Sequence, residues 1–325
     1  MACFTPLKMF RSATPNDNGK RGLTCNPIKA LNSHVVQRIP CNACNGCRSD
    51  RRRQMALRVL HECKTRSCCY FVTLTQDMEH RLPSNSLNLR DLQLFHKRVR
   101  QRYAPGRNAL KFFACGEYGQ KDDNPHYHSI LMSDAELFPD KKLWTKDELG
   151  PVYKSAQLEE MWPNGIAEFS PVSYATAMYV AGYCSKKLLK PDDASLVRLS
   201  PVDGQWHHVA PEFATMSKNP GLGSRWFDLY GDDAFPSDFL VVDGHKVKPP
   251  KFYFDKLKTR NVVDYAHVRP GHALRDLGRS DASPVIAARR AFASTPEARA
   301  NCTPERLAVR QELHRLKLLR HNRVL

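Results

Sequence analysis

Apolar and polar positions alternate clearly through the middle of this 325-residue chain and only weakly at its two ends. Tyr70-Phe-Val-Thr-Leu-Thr75 is rich in β-branched and aromatic residues and predicts a central strand. Leu92, Phe95 and Val99 recur at helical spacing, so a helix is expected from about Leu89 to Tyr103, with Asn88 as its cap. Lys111-Phe-Phe-Ala-Cys-Gly-Glu-Tyr118 predicts a second strand. The polar turn from Gly119 to Pro125 then returns the chain into an apolar run, His126-Tyr-His-Ser-Ile-Leu-Met132. After a looser stretch with Trp144 and Trp162, residues 166–169 read as a further strand and 173–189 as a helix. Upstream, residues 49–60 read as a helix, with Arg51, Arg52, Arg53 and Arg58 set around Met55, Leu57, Val59 and Leu60. Strand, helix, strand, strand, strand, helix is an α+β order, which favours a mostly antiparallel central sheet covered by helices.

The weaker ends divide the rest. Thr14-Pro-Asn-Asp-Asn-Gly19 is turn-rich, so residues 1–24 are expected to form a loose, flexible arm. A Cys- and Arg-rich segment spans 25–65, the patterned core 66–190, and an extension 191–260 punctuated by Pro220-Gly-Leu-Gly223 and Lys248-Pro-Pro250. A basic, partly helical tail covers 261–325, its last helix capped by Thr303 with Pro304 in the first turn. A hydrophobic content of 42% is enough for a proper core. The formal charge of +17 makes an acidic polymer, nucleic acid first, the natural partner. Without a run of eighteen apolar residues or a hydrophobic segment after its start, the chain is expected to be soluble, unexported and away from membranes. Eleven cysteines, three in one tight cluster, suit a reducing cytoplasm better than a disulfide framework.

The candidate chemistry begins at His126 and His128. A lone strand histidine is ordinarily a filler, but two at spacing two share one face of a strand and can hold a single divalent metal. Hairpin geometry can bring Glu117 beside them as a third ligand. Such a set leaves coordination positions open for a scissile phosphate. Magnesium or manganese suits it, and the imidazoles tilt the choice toward manganese. Tyr179 and Tyr183 stand four residues apart on one helical face with Lys186 on the same stripe. A phenol attacks phosphorus only beside a cation or a metal-polarised electrophile, and both are on offer here. Together these residues predict an enzyme that cuts single-stranded DNA through a tyrosine. Cys41, Cys44 and Cys47 suggest structural zinc, with Cys25 first choice for the fourth ligand and Cys63 or Cys68 behind it; an iron–sulfur cluster and a free-thiol loop are the alternatives. Arg48, Arg51, Arg52 and Arg53, with the arginines of the tail, are candidate contacts to the DNA backbone.

Phe71-Val-Thr-Leu-Thr75, Cys115-Gly-Glu-Tyr-Gly119, Pro125-His-Tyr-His128 and Tyr179-Val-Ala-Gly-Tyr-Cys-Ser-Lys-Lys187 resemble the motifs of HUH endonucleases, named for two histidines around a hydrophobic residue. The chain is most similar to replication initiators of the microviruses, especially of the gokushovirus type, over roughly residues 25–257. The resemblance implies an HUH-type nuclease fold and rolling-circle initiation. A replicative-form origin would be nicked, a 5′-phosphotyrosine formed, the displaced single strand joined, and a 3′-hydroxyl left for the host polymerase and helicase in the bacterial cytoplasm. It implies His126, His128 and Glu117 as metal ligands, Tyr183 and Tyr179 as nucleophiles, and Lys186 or Lys187 as the adjacent cation. A plasmid or mobile-element relaxase or transposase, and a non-enzymatic zinc-stabilised DNA-binding regulator, are the rival readings.

Overall fold

The structure, a computed structural model, describes residues 3–106, 108–119, 123–147, 150–183, 196–242, 244–258 and 283–322. They fall into two units, Met1–Arg51 with Ile286–Leu325, and Arg52–Val285.

In the first unit the expected loose arm is instead a hairpin. Strand β1 (Leu7–Pro15) turns through Asn16 to Lys20 into β2 (Arg21–Thr24). Asn16 Oδ1 accepts from the Lys20 amide at 2.8 Å, and Gly19 takes the left-handed φ of 69° that closing the turn requires. The turn-rich sequence is a hairpin loop, and the strands leave little trace in the sequence because they are mostly exposed and lack apolar alternation. Strand β3 (Gln37–Ile39) pairs antiparallel with the other edge of β1, giving the order β2-β1-β3. Helix α1 (Asn45–Lys64) begins in this unit and continues into the second. The tail forms helices over Ser283–Ala293, Pro296–Ala300 and Pro304–Asn322, and Thr303 caps the last by accepting from the Arg306 amide at 3.3 Å.

The second unit is α+β, built on a seven-stranded sheet whose paired neighbours run antiparallel. Its elements are β4 (Cys68–Gln76), α2 (Leu89–Tyr103), β5 (Leu110–Tyr118), β6 (Pro125–Ser133), β7 (Lys142–Asp147), β8 (Gly150–Lys154), α3 (Ala156–Met161), β9 (Gly165–Pro171) and α4 (Tyr174–Tyr183). After them come the short β10 (Val197–Leu199) and β11 (Trp206–His208), then β12 (Phe213–Met216) and α5 (Ser224–Tyr230). Strand order is β12-β5-β6-β4-β9-β8-β7. Asn88 caps α2 as its sequence predicts, accepting from the Arg90 amide at 3.0 Å. The stretch expected to be loose holds the β7–β8 hairpin and α3, and the extension supplies the edge strand β12.

Period-two alternation gives the sheet two buried faces. One packs Val72, Leu74, Tyr127, Leu131 and Phe169 under Leu92, Phe95, Val99 and Trp162. The other packs Phe71, Phe113, Cys115, Ile130 and Met132 under Ala56 and Val59 of α1 and Ala177, Val180 and Ala181 of α4. A third cluster in the extension gathers Trp226, Phe227, Phe235, Leu240 and Tyr253.

Candidate functional site

Strand β6 lies between β5 and β4, so each side chain on it has a cross-strand neighbour on both sides. The register sets His126 opposite Glu117 and Thr75, and His128 opposite Cys115 and Thr73. All of these share the α4-covered face, continuing the row of Met132 and Ile130 toward the β5–β6 turn. Tyr127, between the histidines, faces the opposite core fully buried, and its hydroxyl accepts from the Asn88 amide at 2.7 Å. The bulky residue in the motif therefore anchors the histidine strand to the start of α2.

Each imidazole is braced through Nδ1. Thr75 Oγ1 lies 2.9 Å from Nδ1 of His126, and Thr73 Oγ1 lies 3.2 Å from Nδ1 of His128. That leaves Nε2 of each ring for another partner. On His128 it is 2.7 Å from Glu117 Oε1, and both residues are buried. On His126 it turns toward Gly119, where a β-carbon would come within 3.1 Å, so His126 stands apart from the Glu117–His128 contact. Phe71 stacks on His128 at 5.4 Å between ring centroids.

Helix α4 brings Tyr179 onto this cluster. Its hydroxyl donates to Glu117 Oε1 at 2.9 Å, and its ring meets His128 edge-on at 5.3 Å. Burial, then the neighbouring Glu117 carboxylate, pushes the phenol well above the usual tyrosine range, so it stays protonated at neutral pH. Yet Tyr179 remains 39% exposed, which leaves it open to a ligand. Tyr183 is the last residue of α4; its side chain, like Lys186 and Lys187, lies outside the described residues. Arg52 pins the helix, its Nε donating to the Met178 carbonyl at 2.6 Å, and Arg53 donates to the Lys248 carbonyl at 2.7 Å. These two of the four candidate DNA-contacting arginines thus make contacts within the protein. In the first unit Arg51 donates to the Asn42 carbonyl at 3.5 Å.

Among the described residues, the group of three or more His, Cys, Asp or Glu donors lying within 4.8 Å of one another is Cys3, Cys41, Cys44 and Cys47, which could hold a metal ion such as zinc. The fourth thiol is Cys3 and not Cys25, which is exposed. Pairing explains the difference: Leu7 opposite Ile39 sets the chain before β1 beside the chain after β3, whereas Cys25 follows β2 on the other edge. Sequence reasoning misses Cys3, Thr73 and Thr75 because their proximity depends on strand register. The hydroxyls at spacing two in β4, matching the histidine spacing, are the one signal that points to the threonines.

Among the described residues no helix is long and apolar enough to cross a membrane. The family model for the replication-associated protein ORF2 matches residues 69–188, the segment from β4 past α4 that contains Glu117, both histidines and both tyrosines. The chain is 33% identical over 266 residues to the replication-associated protein VP4 of Bdellovibrio phage phiMH2K, covering 79% of this chain and 78% of that one. It is 27% identical over 289 residues to the replication-associated protein ORF2 of Spiroplasma virus 4, covering 81% and 82% of the two chains. The replication-associated protein ORF4 of Chlamydia phage 1 is 27% identical over 227 residues, 68% of this chain and 53% of that one. No solved structure matches the chain. With a relative this similar across most of both lengths, the chain belongs to the microvirus-type replication-associated proteins of phages, a family of replication initiators.

Proposed function

We propose that this protein starts rolling-circle replication as an HUH-type nuclease, nicking viral DNA at the origin and later rejoining it through a covalent bond to tyrosine. The observation that carries the reading is the direct contact of Tyr179, Glu117 and His128 on one face of the central strands. His126, His128 and Glu117 would hold magnesium or manganese, since two imidazoles and a carboxylate with braced outer nitrogens suit those ions. A divalent ion bound there supplies Lewis-acid polarisation of the scissile phosphate and offsets the carboxylate charge that keeps Tyr179 protonated.

Tyr179 then does the covalent work. Its hydroxyl already donates to Glu117, so the carboxylate is placed to take the proton as the phenol oxygen bonds to phosphorus. The bond from phosphorus to the 3′-oxygen breaks, and that oxygen takes a proton from solvent. The products are a 5′-phosphotyrosine and a free 3′-hydroxyl from which a host polymerase extends. Attack of a 3′-hydroxyl on the phosphotyrosine reverses these steps and joins the displaced strand without ATP. Tyr183, one helical turn along, serves as the second phenol, receiving a new strand while the first is occupied. Lys186 and Lys187 follow as the adjacent cations. The sequence has no Gly-x4-Gly-Lys-Ser/Thr loop, so unwinding falls to a helicase of the bacterial host, in whose cytoplasm the reaction takes place.

Incubation with a labelled single-stranded origin oligonucleotide and Mn²⁺ tests this. A covalent protein–DNA adduct, mapped by mass spectrometry to Tyr179 or Tyr183, is the expected result; a strand bound but left intact would make the protein a DNA-binding regulator instead.

A further inference from the structure

Four sulfur atoms of the first unit take no part in the nicking chemistry. Cys3 precedes β1, Cys41 follows β3, Cys44 stands immediately before α1, and Cys47 lies in its first turn. The Cys41 and Cys47 sulfurs are 4.0 Å apart, those of Cys44 and Cys3 are 3.9 Å apart, and all four lie within 4.8 Å of one another. Sulfurs bound tetrahedrally at about 2.3 Å from one zinc ion sit about 3.8 Å from each other. A disulfide needs about 2.05 Å, and all four cysteines are free.

The surroundings suit thiolates. The amides of Phe4, Cys41 and Cys44 each donate at 3.3 Å, to the sulfurs of Cys44, Cys3 and Cys41 respectively. The Ala43 amide and the Thr5 hydroxyl add bonds of 3.5 and 3.1 Å to Cys41 Sγ. Cys44 and Cys47 sit at the N-terminus of a helix of 20 residues, where the backbone dipole favours negative charge. Arg48 and Arg51 follow them at i+4 on the same helix. The unit also needs a staple: among its described residues the buried apolar side chains are Cys3, Phe4, Phe10, Cys47 and Leu307, too few for a self-sufficient core.

We propose that Cys3, Cys41, Cys44 and Cys47 bind one zinc ion as a closed structural site that locks the end of the β1–β3 ladder to the first turn of α1. Each thiol releases its proton on binding, so four thiolates and Zn²⁺ carry a net charge of two minus, which Arg48 and Arg51 offset. All four positions are filled by protein, which leaves none for a substrate. The site is independent of the nuclease reading.

Elemental analysis of the full chain, purified without a polyhistidine tag and passed over a chelating resin, is expected to find about one zinc per molecule. His126→Ala/His128→Ala and Cys25→Ser keep that zinc, whereas Cys3→Ser and Cys44→Ser lose it. Should the cysteine variants fail to fold, exchange of the unmutated protein into Co²⁺ reads the same site through the thiolate charge-transfer bands of a tetrahedral four-sulfur centre. Zinc kept by Cys3→Ser, zinc lost with Cys25 or with the histidines, iron with sulfide in place of zinc, a mass short of hydrogen from disulfide formation, or no bound metal at all would overturn the proposal.

Discussion

At the scale of single residues, the candidate site is an exercise in what a neighbour does to a side chain. Tyr179 is held protonated by burial and by Glu117, so its reactivity depends on offsetting that carboxylate. Tyr179→Phe and Tyr183→Phe are expected each to remove one of two covalent adducts, and the double variant to remove both, as read on a denaturing gel. Thr75→Val takes away the brace on His126 and should raise the Mn²⁺ concentration needed for half-maximal nicking by about 10- to 100-fold. A third effect lies behind the site. His96 is fully buried against Ser129, and burial pushes its imidazole down to about 3; His61, stacked on Trp226, is pushed down to about 4. Both folded values lie below the ordinary 6.5, so the unfolded chain binds more protons as pH falls. Stability is therefore full above about pH 6.5 and is lost on acidification toward the folded values, by up to about 1.4 kcal/mol per pH unit for each histidine. Denaturant melts between about pH 7.5 and pH 5 should show the loss, and His96→Asn should shrink it.

At the scale of elements, the site depends on strands held in register and on one helix laid across them. Gly165 begins β9 with a φ of 144°, and a β-carbon there would approach the Thr75 carbonyl to 2.4 Å and the Asp77 amide to 2.5 Å. Gly165→Ala must displace β4 where it carries Thr75, so it should lower both melting temperature and nicking, whereas Gly204→Ala, whose β-carbon meets nothing within 4 Å, should spare nicking. On the opposite face Phe95→Ala opens a cavity beneath α2 and should cost about 3–5 kcal/mol in denaturant unfolding. Elements with a strong local period were legible in the sequence. Helix α2 runs Leu89–Tyr103 as its stripe and its Asn88 cap predict, and β4, β5 and β6 depart from expectation by at most two residues at an end. Strand β7 was not legible, because all six of its residues are exposed and no core imposes alternation on them. Short β12 was missed for a related reason: its place is set by pairing with β5 from about a hundred residues away in the chain.

At the scale of the whole molecule, a net charge of +17 should dominate encounter with DNA. Raising salt from about 50 to about 200 mM is expected to weaken oligonucleotide binding by about 10³-fold if six phosphates are contacted, measured by fluorescence anisotropy. The sequence by itself determined what local spacing can determine. Two histidines at a strand's period must share a face, two tyrosines at a helix's period must share a stripe, and a run of charge must seek its opposite. Tertiary structure alone decided which stripe meets which face. It set the Tyr179 hydroxyl on Glu117, put threonines behind the histidines, and chose Cys3 over Cys25 to complete the sulfur cluster. Those choices follow from strand order and register, which cooperative burial of two sheet faces selects and which no window of neighbouring residues encodes.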